Sequence, residues 1–290
     1  MSNMDNLCCP ICKSDLEVKN TSLHCDKCFK DYEVVNGIPI LVDLNSLPSH
    51  LEGQVRYFEK SYLIENNDYV FEEWHKSYLR RFDKEFPNVK GKRILDCGAG
   101  SGYMSVELAK RGALVTSCDL TFKGLKKLKV VSDGFGLDIQ IVCCTAENLP
   151  FKDKSFDYFI SNAVLEHLPL ENEAIEETNR VCKDAAGLMI AAPLSYKYLN
   201  PILIPINYIH DKNIGHLRRY DEDILKDKFK EWKIKSVYYT GHTVKVLKTL
   251  TNRISRIFDD LNIEKQDARR EKKKLWASNI ICFMKKKVSK

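Results

Sequence analysis

From Lys92 onward, short apolar runs alternate with amphipathic stretches, the order produced when strands and helices wind about a parallel sheet. Runs at Arg93 to Cys97, Leu114 to Asp119, Ile139 to Cys143, Phe156 to Asn162, Gly187 to Ala192, Ile234 to Tyr239 and Ser278 to Met284 predict strands. The segments Ser101 to Arg111, Phe122 to Val131, Glu171 to Cys182 and Asp221 to Phe229 predict helices. Two regions precede this α/β pattern. Residues 1–42 form a cysteine-bearing module that ends in the strand-like Gly37 to Val42. Residues 43–90 scatter aromatics from Tyr57 to Phe86 among charges, which predicts one or two helices acting as a connector and cap. The main domain is expected to fill residues 91–290.

Two additions interrupt that domain. Leu199 to Ile209 is too apolar for an ordinary exposed loop and predicts a lid spanning residues 199–220. Asn200, Pro201, Pro205 and Asn207 break it well short of the roughly 18 apolar residues of a membrane-spanning helix. Within residues 241–274, Leu247, Leu250, Ile254, Ile257, Phe258 and Leu261 fall on one helical face, with Lys245, Lys248, Arg253 and Arg256 elsewhere. Such a helix either packs on the protein or a second subunit, or is attracted to anionic lipid.

Composition changes the picture only modestly. Across 290 residues, 44% hydrophobic and 30% charged positions indicate a globular protein and exclude disordered and collagenous classes. The net charge of +6 is unevenly spread: the last fifty residues hold 14 Lys/Arg against 5 Asp/Glu, a net +9, which leaves −3 for the rest. A near-neutral body with one basic tail is unlike a dedicated nucleic-acid binder. The N-terminus has no basic or apolar region of signal-peptide length, so the expected location is cytoplasmic, with peripheral membrane contact if the basic helix serves that purpose.

Eleven cysteines in a reducing compartment argue for thiols or metal ligands. Cys9-Pro10-Ile11-Cys12 and Cys25-Asp26-Lys27-Cys28 are two C-x-x-C pairs twelve residues apart, each able to fold into a tight knuckle. Facing knuckles supply a tetrahedral four-cysteine site, so structural Zn²⁺ on Cys9, Cys12, Cys25 and Cys28 is expected, with no open position for chemistry. Cys8 and His24 are bystanders in this reading, and the six later cysteines are packing residues.

Ile94 to Gly102 contains a strand, then Gly98-Ala99-Gly100-Ser101-Gly102, then opens a helix. Closely spaced glycines let the chain turn sharply and present backbone amides to a ligand at the helix N-terminus. Asp96 stands two residues before the first glycine, where it would repel pyrophosphate but not a cofactor carrying an ammonium and a sulfonium. Asp119 ends the next strand, where a carboxylate accepts ribose hydroxyls. Together with Ala146-Glu147-Asn148-Leu149-Pro150-Phe151 and Phe156 to Asn162, these motifs resemble those of class I S-adenosylmethionine-dependent methyltransferases, in particular the quinone-biosynthesis and small-molecule branch.

That resemblance covers Lys92 to about Thr240 and implies a Rossmann-like α/β fold: seven mostly parallel strands with helices on both faces, here preceded by the zinc ribbon. It implies S-adenosylmethionine as cofactor, with Asp96, Gly98, Ala99, Gly100 and Gly102 around the methionine moiety and Asp119 and Leu120 on ribose. Ala146 and Glu147 would lie along adenine, and Asn162 and Ala163 beneath the sulfur. Residues 1–42 resemble the small zinc-ribbon proteins that accompany and activate methyltransferases.

Methyl transfer mainly requires alignment, with a base only where the acceptor must lose a proton. His167, in Leu165-Glu166-His167-Leu168-Pro169, stands either as that base or as a hydrogen-bonding pin for its loop. His216 and Tyr220, in the run His216-Leu217-Arg218-Arg219-Tyr220, are the other catalytic candidates, with the arginines as cations for an acidic acceptor; the alternative is a helix start capped by Asp221. The segment Ser161 to Val164 lacks the Asn/Asp-Pro-Pro-aromatic motif of amino methyltransferases, which weighs against adenine N-methylation. The expected acceptor is a small or lipid-linked molecule. An RNA methyltransferase using the ribbon and Arg269 to Lys274, and a nonenzymatic scaffold or activator, are the rival readings.

Overall fold

The seven expected strands assemble into one sheet in the computed structural model, which describes residues 5–19, 21–62, 69–242 and 260–288. In chain order these are β5 (Arg93–Cys97), β6 (Leu114–Asp119), β7 (Gln140–Cys143), β8 (Phe156–Asn162), β9 (Cys182–Pro193), β10 (Trp232–Thr240) and β11 (Asn279–Lys286). Their spatial order is β10-β11-β9-β8-β5-β6-β7. All pairings from β9 to β7 are parallel, and β11 inserts antiparallel between β9 and β10. The order reverses next to β5, so the crevice at the carboxyl ends of β5, β6 and β8 is where an open sheet of this kind takes its ligand.

Alternation along each strand supplies two cores. Leu95, Cys97, Val142, Phe159 and Ile190 face one side; Ile94, Ile141, Cys143, Ile160 and Met189 face the other. The second side is covered by α2 (Glu73–Glu85), α3 (Tyr103–Lys110) and α4 (Phe122–Gly134), through Phe82, Val106 and Leu125. The first is covered by α5 (Glu171–Val181) and α7 (Glu222–Lys228), through Ile175 and Leu225. The six cysteines from Cys97 to Cys282 are all buried here. The strand at β9 starts five residues before the expected Gly187, because the chain leaves α5 directly into extended backbone and Phe156 pairs with Cys182 across a bulge.

The cysteine module folds as a four-stranded antiparallel sheet, β1 (Glu17–Lys19), β2 (Ser22–Cys25), β3 (Lys30–Val35) and β4 (Ile38–Pro39). It is not set apart from the main domain. Leu7, Cys9, Leu23, Cys25, Tyr32 and Leu41 share a core with Val142, Leu149 and Phe151. Its ends pair with the sheet edge: Leu7 bridges Phe151, Ile40 bridges Cys143 in parallel, and the Leu41 amide donates to the Cys143 carbonyl at 2.8 Å. Lys13 Nζ reaches Asn148 Oδ1 at 2.6 Å and Glu177 Oε2 at 2.8 Å.

The connector forms α1 (Ser49–Ser61) and α2, and α1 crosses the mouth of the crevice. The apolar stretch after β9 is helical: Asn200 caps a 3-10 turn at Pro201–Leu203, and α6 (Ile204–Ile214) follows, ending at Gly215 in the left-handed region. A final helix, α8 (Asp260–Arg269), precedes β11. The amphipathic stripe from Leu247 to Phe258 lies outside the described residues. Among the described residues, no helix is long and apolar enough to cross a membrane.

Candidate functional site

The crevice holds a cavity of about 510 Å³, a size suited to a small-molecule ligand. Its floor is the turn after β5. Gly98 (φ +76°) and Gly100 (φ +55°) are in the left-handed region that side-chain-bearing residues avoid. A Cβ on Gly98 would lie 2.1 Å from Val164 Cγ2, and one on Gly100 would lie 2.5 Å from Tyr62 Oη. The turn therefore fits only as glycine at its first position, where a packed branched side chain stands opposite.

Asp119 closes the β6 side. Its Oδ2 accepts from the Gly100 amide at 2.8 Å, and its Oδ1 accepts from the Thr121 amide and hydroxyl at 2.7 and 2.6 Å. Burial raises its pKa, and these donors oppose the rise. A carboxylate has about four acceptor positions, so roughly one remains for a ligand hydroxyl. Leu120, Ala146, Glu147, Asn162 and Ala163 also line the cavity. Ala146–Asn148 is a 3-10 turn, and Glu147 Oε1 accepts from the Leu170 amide at 3.1 Å. Asn162 Nδ2 donates to Tyr103 Oη at 2.6 Å, and Ala163 has a φ of +56°.

Two of the expected cofactor residues lie elsewhere. Asp96 does not line the cavity: it is buried behind the turn, where Ser105 Oγ donates to it at 2.6 Å and Ser117 Oγ donates to Ser105 at 2.7 Å. Burial pushes its carboxyl up to about 6, against the Ser105 hydrogen bond. Its inward direction follows from strand alternation, and it acts as a brace between β5, α3 and β6. Gly102 likewise faces Leu128 rather than the cavity.

The opposite wall comes from the connector. Leu51, Val55 and Phe58 of α1, with Trp74, His75 and Tyr78 of α2, give an apolar and aromatic lining. Their roles are not readable from local sequence; the aromatic density of residues 43–90 was the only signal. Burial lowers the His75 pKa to about 4.

His167 is on the cavity wall, between Phe58 (ring centroids 5.4 Å apart) and His216 (4.8 Å). Burial, with the neighbouring His216, lowers its pKa to about 3, so in this setting its ring is neutral and a weak proton acceptor. His216 stands behind His167 and does not line the cavity. Its Nδ1 pairs with Asp211 Oδ1 at 2.8 Å, and its Nε2 is 3.7 Å from Glu166 Oε1. Burial pushes the Glu166 carboxyl up to about 8.

Tyr220 and the arginines depart furthest from expectation. Tyr220 is fully buried and away from the cavity, donating to the Leu165 carbonyl at 3.1 Å and to Glu171 Oε1 at 2.7 Å. Arg219 grips Asp211 with two nitrogens, at 2.6 and 2.8 Å, and Arg218 donates to the Leu168 carbonyl at 2.7 Å. Asp211, which also accepts from Tyr196, is held well below the usual carboxylate range by His216 and Arg219 despite its burial. Asp221 caps α7, accepting from the Ile224 amide at 3.0 Å. Arg218, Arg219 and Tyr220 are thus engaged within the chain, Asp211 and Glu171 taking up the charges that an acidic acceptor would need.

The four-cysteine site fits zinc. Four Sγ atoms lie within 4.8 Å of one another, with Cys9 to Cys28 at 3.9 Å and Cys12 to Cys25 at 3.5 Å. Zn–S bonds of about 2.3 Å in a tetrahedron give sulfur separations of about 3.8 Å. Tyr32 Oη approaches Cys9 Sγ at 3.3 Å. Cys8 is buried outside the cluster, and His24 pairs with Asp31.

Comparison with known proteins agrees with this geometry. Residues 95–190 match the methyltransferase domain family. A 93-residue stretch is 40% identical to an uncharacterized protein of Mycobacterium tuberculosis, covering 32% of this chain and 34% of that one. The ubiquinone/menaquinone biosynthesis C-methyltransferase UbiE of Rickettsia prowazekii is 30% identical over 151 residues, 45% of this chain and 60% of the enzyme. The matched stretches thus span between a third and three fifths of these relatives. In fold, the chain is similar to a candidate sarcosine dimethylglycine methyltransferase of Galdieria sulphuraria (TM-score 0.58, 16% identity, 81% of this chain and 98% of that one). It is also similar to the [4+2]-cyclase SpnF (TM-score 0.56, 18% identity, 82% and 94%). The match to the methyltransferase domain lies on residues 95–190, about a third of the chain, and the likeness to the solved structures is one of fold.

Proposed function

We propose that the protein binds S-adenosylmethionine in the crevice and transfers its methyl group to a small or lipid-linked acceptor, with a structural zinc ion in the ribbon. The observation that carries this reading is one cavity walled at once by the glycine turn, by Asp119 at the end of β6 and by the apolar face of α1. The cofactor supplies an activated methyl on a sulfonium, and the electron pair of the broken carbon–sulfur bond stays on sulfur. Gly98 to Ser101 would receive the methionine end, Asp119 one ribose hydroxyl, and Glu147 the adenine side. Phe58, Leu51 and Val55 exclude water and favour an acceptor with an apolar body.

RNA is the weaker reading. Lys272 donates to the Val237 carbonyl at 2.8 Å and lies 3.6 Å from the Tyr238 ring centroid, while Lys274 lies 4.1 Å from that of Tyr198. Glu271 accepts from Arg81 within the same run. These cations are engaged within the chain rather than arrayed as a phosphate track.

Calorimetry of the full chain with S-adenosylmethionine tests the cofactor half: one site per chain is expected, weakened at least about tenfold by Asp119→Ala, the loss of one charge-assisted hydrogen bond. No binding in the millimolar range, or binding of a nicotinamide dinucleotide instead, sinks it. Labelled methyl transfer into lipid extracts, water-soluble metabolites and RNA in parallel identifies the acceptor class, and label in RNA alone overturns the acceptor proposed. Chelating the zinc should lower the melting temperature of the whole protein by several degrees, because ribbon and sheet share one core; an unchanged melt would refute a structural zinc.

A further inference from the structure

We propose that Glu166, His167 and His216 bind a divalent metal ion of the manganese-to-zinc class beside the cavity, with Asp211 holding His216 in place. One ligand atom from each of the three lies within 4.8 Å of the others. Glu166 is 1% exposed, and its Oε2 has no hydrogen-bond partner among the described residues; neither has His167 Nδ1. A buried carboxylate oxygen without a donor is costly unless a cation or proton supplies the missing contact. The nearest guanidinium does not, since Arg219 is engaged by Asp211 through two hydrogen bonds.

His216 is oriented for ligation. Asp211 Oδ1 sits 2.8 Å from its Nδ1, which places the proton there and leaves the Nε2 lone pair toward Glu166 Oε1, 3.7 Å away. A carboxylate, a histidine and a metal in that sequence is how protein metal sites fix the tautomer of a ligand. Metal–ligand bonds of about 2.1 Å require separations of about 3–3.5 Å, so the widest pair closes by at most about 1.3–1.8 Å to grip an ion. Two imidazoles and a carboxylate suit manganese through zinc better than magnesium or calcium. Three protein ligands leave coordination positions open, and His167 also walls the cavity, so an oxygen of a small molecule bound there can complete the shell.

The site stands apart from the methyl-transfer reading, and its test reads metal binding alone. Full-length protein with its four cysteines zinc-loaded is titrated with Mn²⁺, and free aqueous Mn²⁺ is read by electron paramagnetic resonance. Thiolates hold zinc against manganese, so the ribbon does not compete. One saturable site per chain in the micromolar range is expected, at least about tenfold weaker in Glu166→Gln and in His216→Ala, with Asp211→Asn weakened about tenfold through the orientation of His216. Electron spin-echo modulation of the bound ion should show nitrogen couplings from imidazole, a signature that does not depend on any variant folding. No saturable binding up to about 1 mM, a site that persists in both ligand variants, or bound Mn²⁺ without nitrogen coupling would each overturn the proposal.

Discussion

Two walls of one cavity are built in opposite ways. The floor, from Gly98 to Asp119, is held by groups close in sequence: the Gly100 amide on Asp119, Ser105 on Asp96, Thr121 on Asp119. The far wall is held by contacts between distant segments. His50 Nε2 pairs with the His167 carbonyl at 3.0 Å, Gln54 Nε2 donates to the Ile214 carbonyl at 3.0 Å, and the Leu217 amide donates to the Glu166 carbonyl at 2.8 Å. The floor is thus a local device that any sheet of this build can carry. The wall depends on how α1, α6 and the Glu166 loop dock. SpnF, a [4+2]-cyclase by its description, has a similar fold, so the fold alone does not name a reaction.

The sharpest way to break this contrast is at their junction. Gly98→Ala puts a Cβ 2.1 Å from Val164 Cγ2 at a φ of +76°. It should cost about 2–4 kcal/mol of stability and abolish cofactor binding, read by thermal unfolding and calorimetry. Retention of wild-type affinity would mean that the turn and the Val164 loop do not set each other's position.

Asp96→Asn probes the floor by pH. Burial raises the folded-state pKa of Asp96 to about 6 from the ordinary 3.8, so the folded protein holds this proton more tightly than the unfolded chain. This group's contribution is fully present below pH 3.8 and is lost as the pH rises through about 6. A shift of about two pH units corresponds to about 3 kcal/mol at most. Relative to wild type, the asparagine variant should gain stability between pH 4 and pH 7 in urea titrations; parallel pH curves would place Asp96 in a wetter setting.

Behind the far wall, Tyr220→Phe removes the donor to Leu165 and Glu171. A loss of about 1–2 kcal/mol is expected, with turnover per folded molecule within a fewfold of wild type. A hundredfold fall in the rate constant, with binding unchanged, would return Tyr220 to a catalytic role. The smallest effect is expected at Gly100→Ala, where the clash is with Tyr62 Oη, the far end of a movable side chain. Stability should drop by about 1 kcal/mol, chiefly from the positive φ, and Tyr62→Phe should partly relieve it.

How far the site was legible follows the same division. Short, nearly continuous apolar runs predict all seven sheet strands, because a strand covered on both faces is apolar at most positions. Of the ribbon strands only β4 falls within a stretch read as strand-like, and the early start of β9 carries no apolar signal, since Lys183 and Asp184 sit at its polar end. The resemblance assigns Asp96 to the methionine moiety of the cofactor, and the structure turns it inward, because alternation from Leu95 decides which face each residue takes.

What sequence alone determined is the set of features whose chemistry is local. Glycines at fixed spacing specify a left-handed turn, an acid at a strand end specifies an acceptor at the crevice, and paired C-x-x-C knuckles specify a four-thiolate site. Tertiary structure alone decided that the ribbon shares the sheet's core, which side chains of α1 and α2 line the cavity, and that Arg219 is consumed by Asp211 while Glu166 Oε2 has no hydrogen-bond partner among the described residues. Those outcomes rest on contacts between segments far apart in the chain, and a side chain's environment there is fixed by docking rather than by its neighbours in sequence.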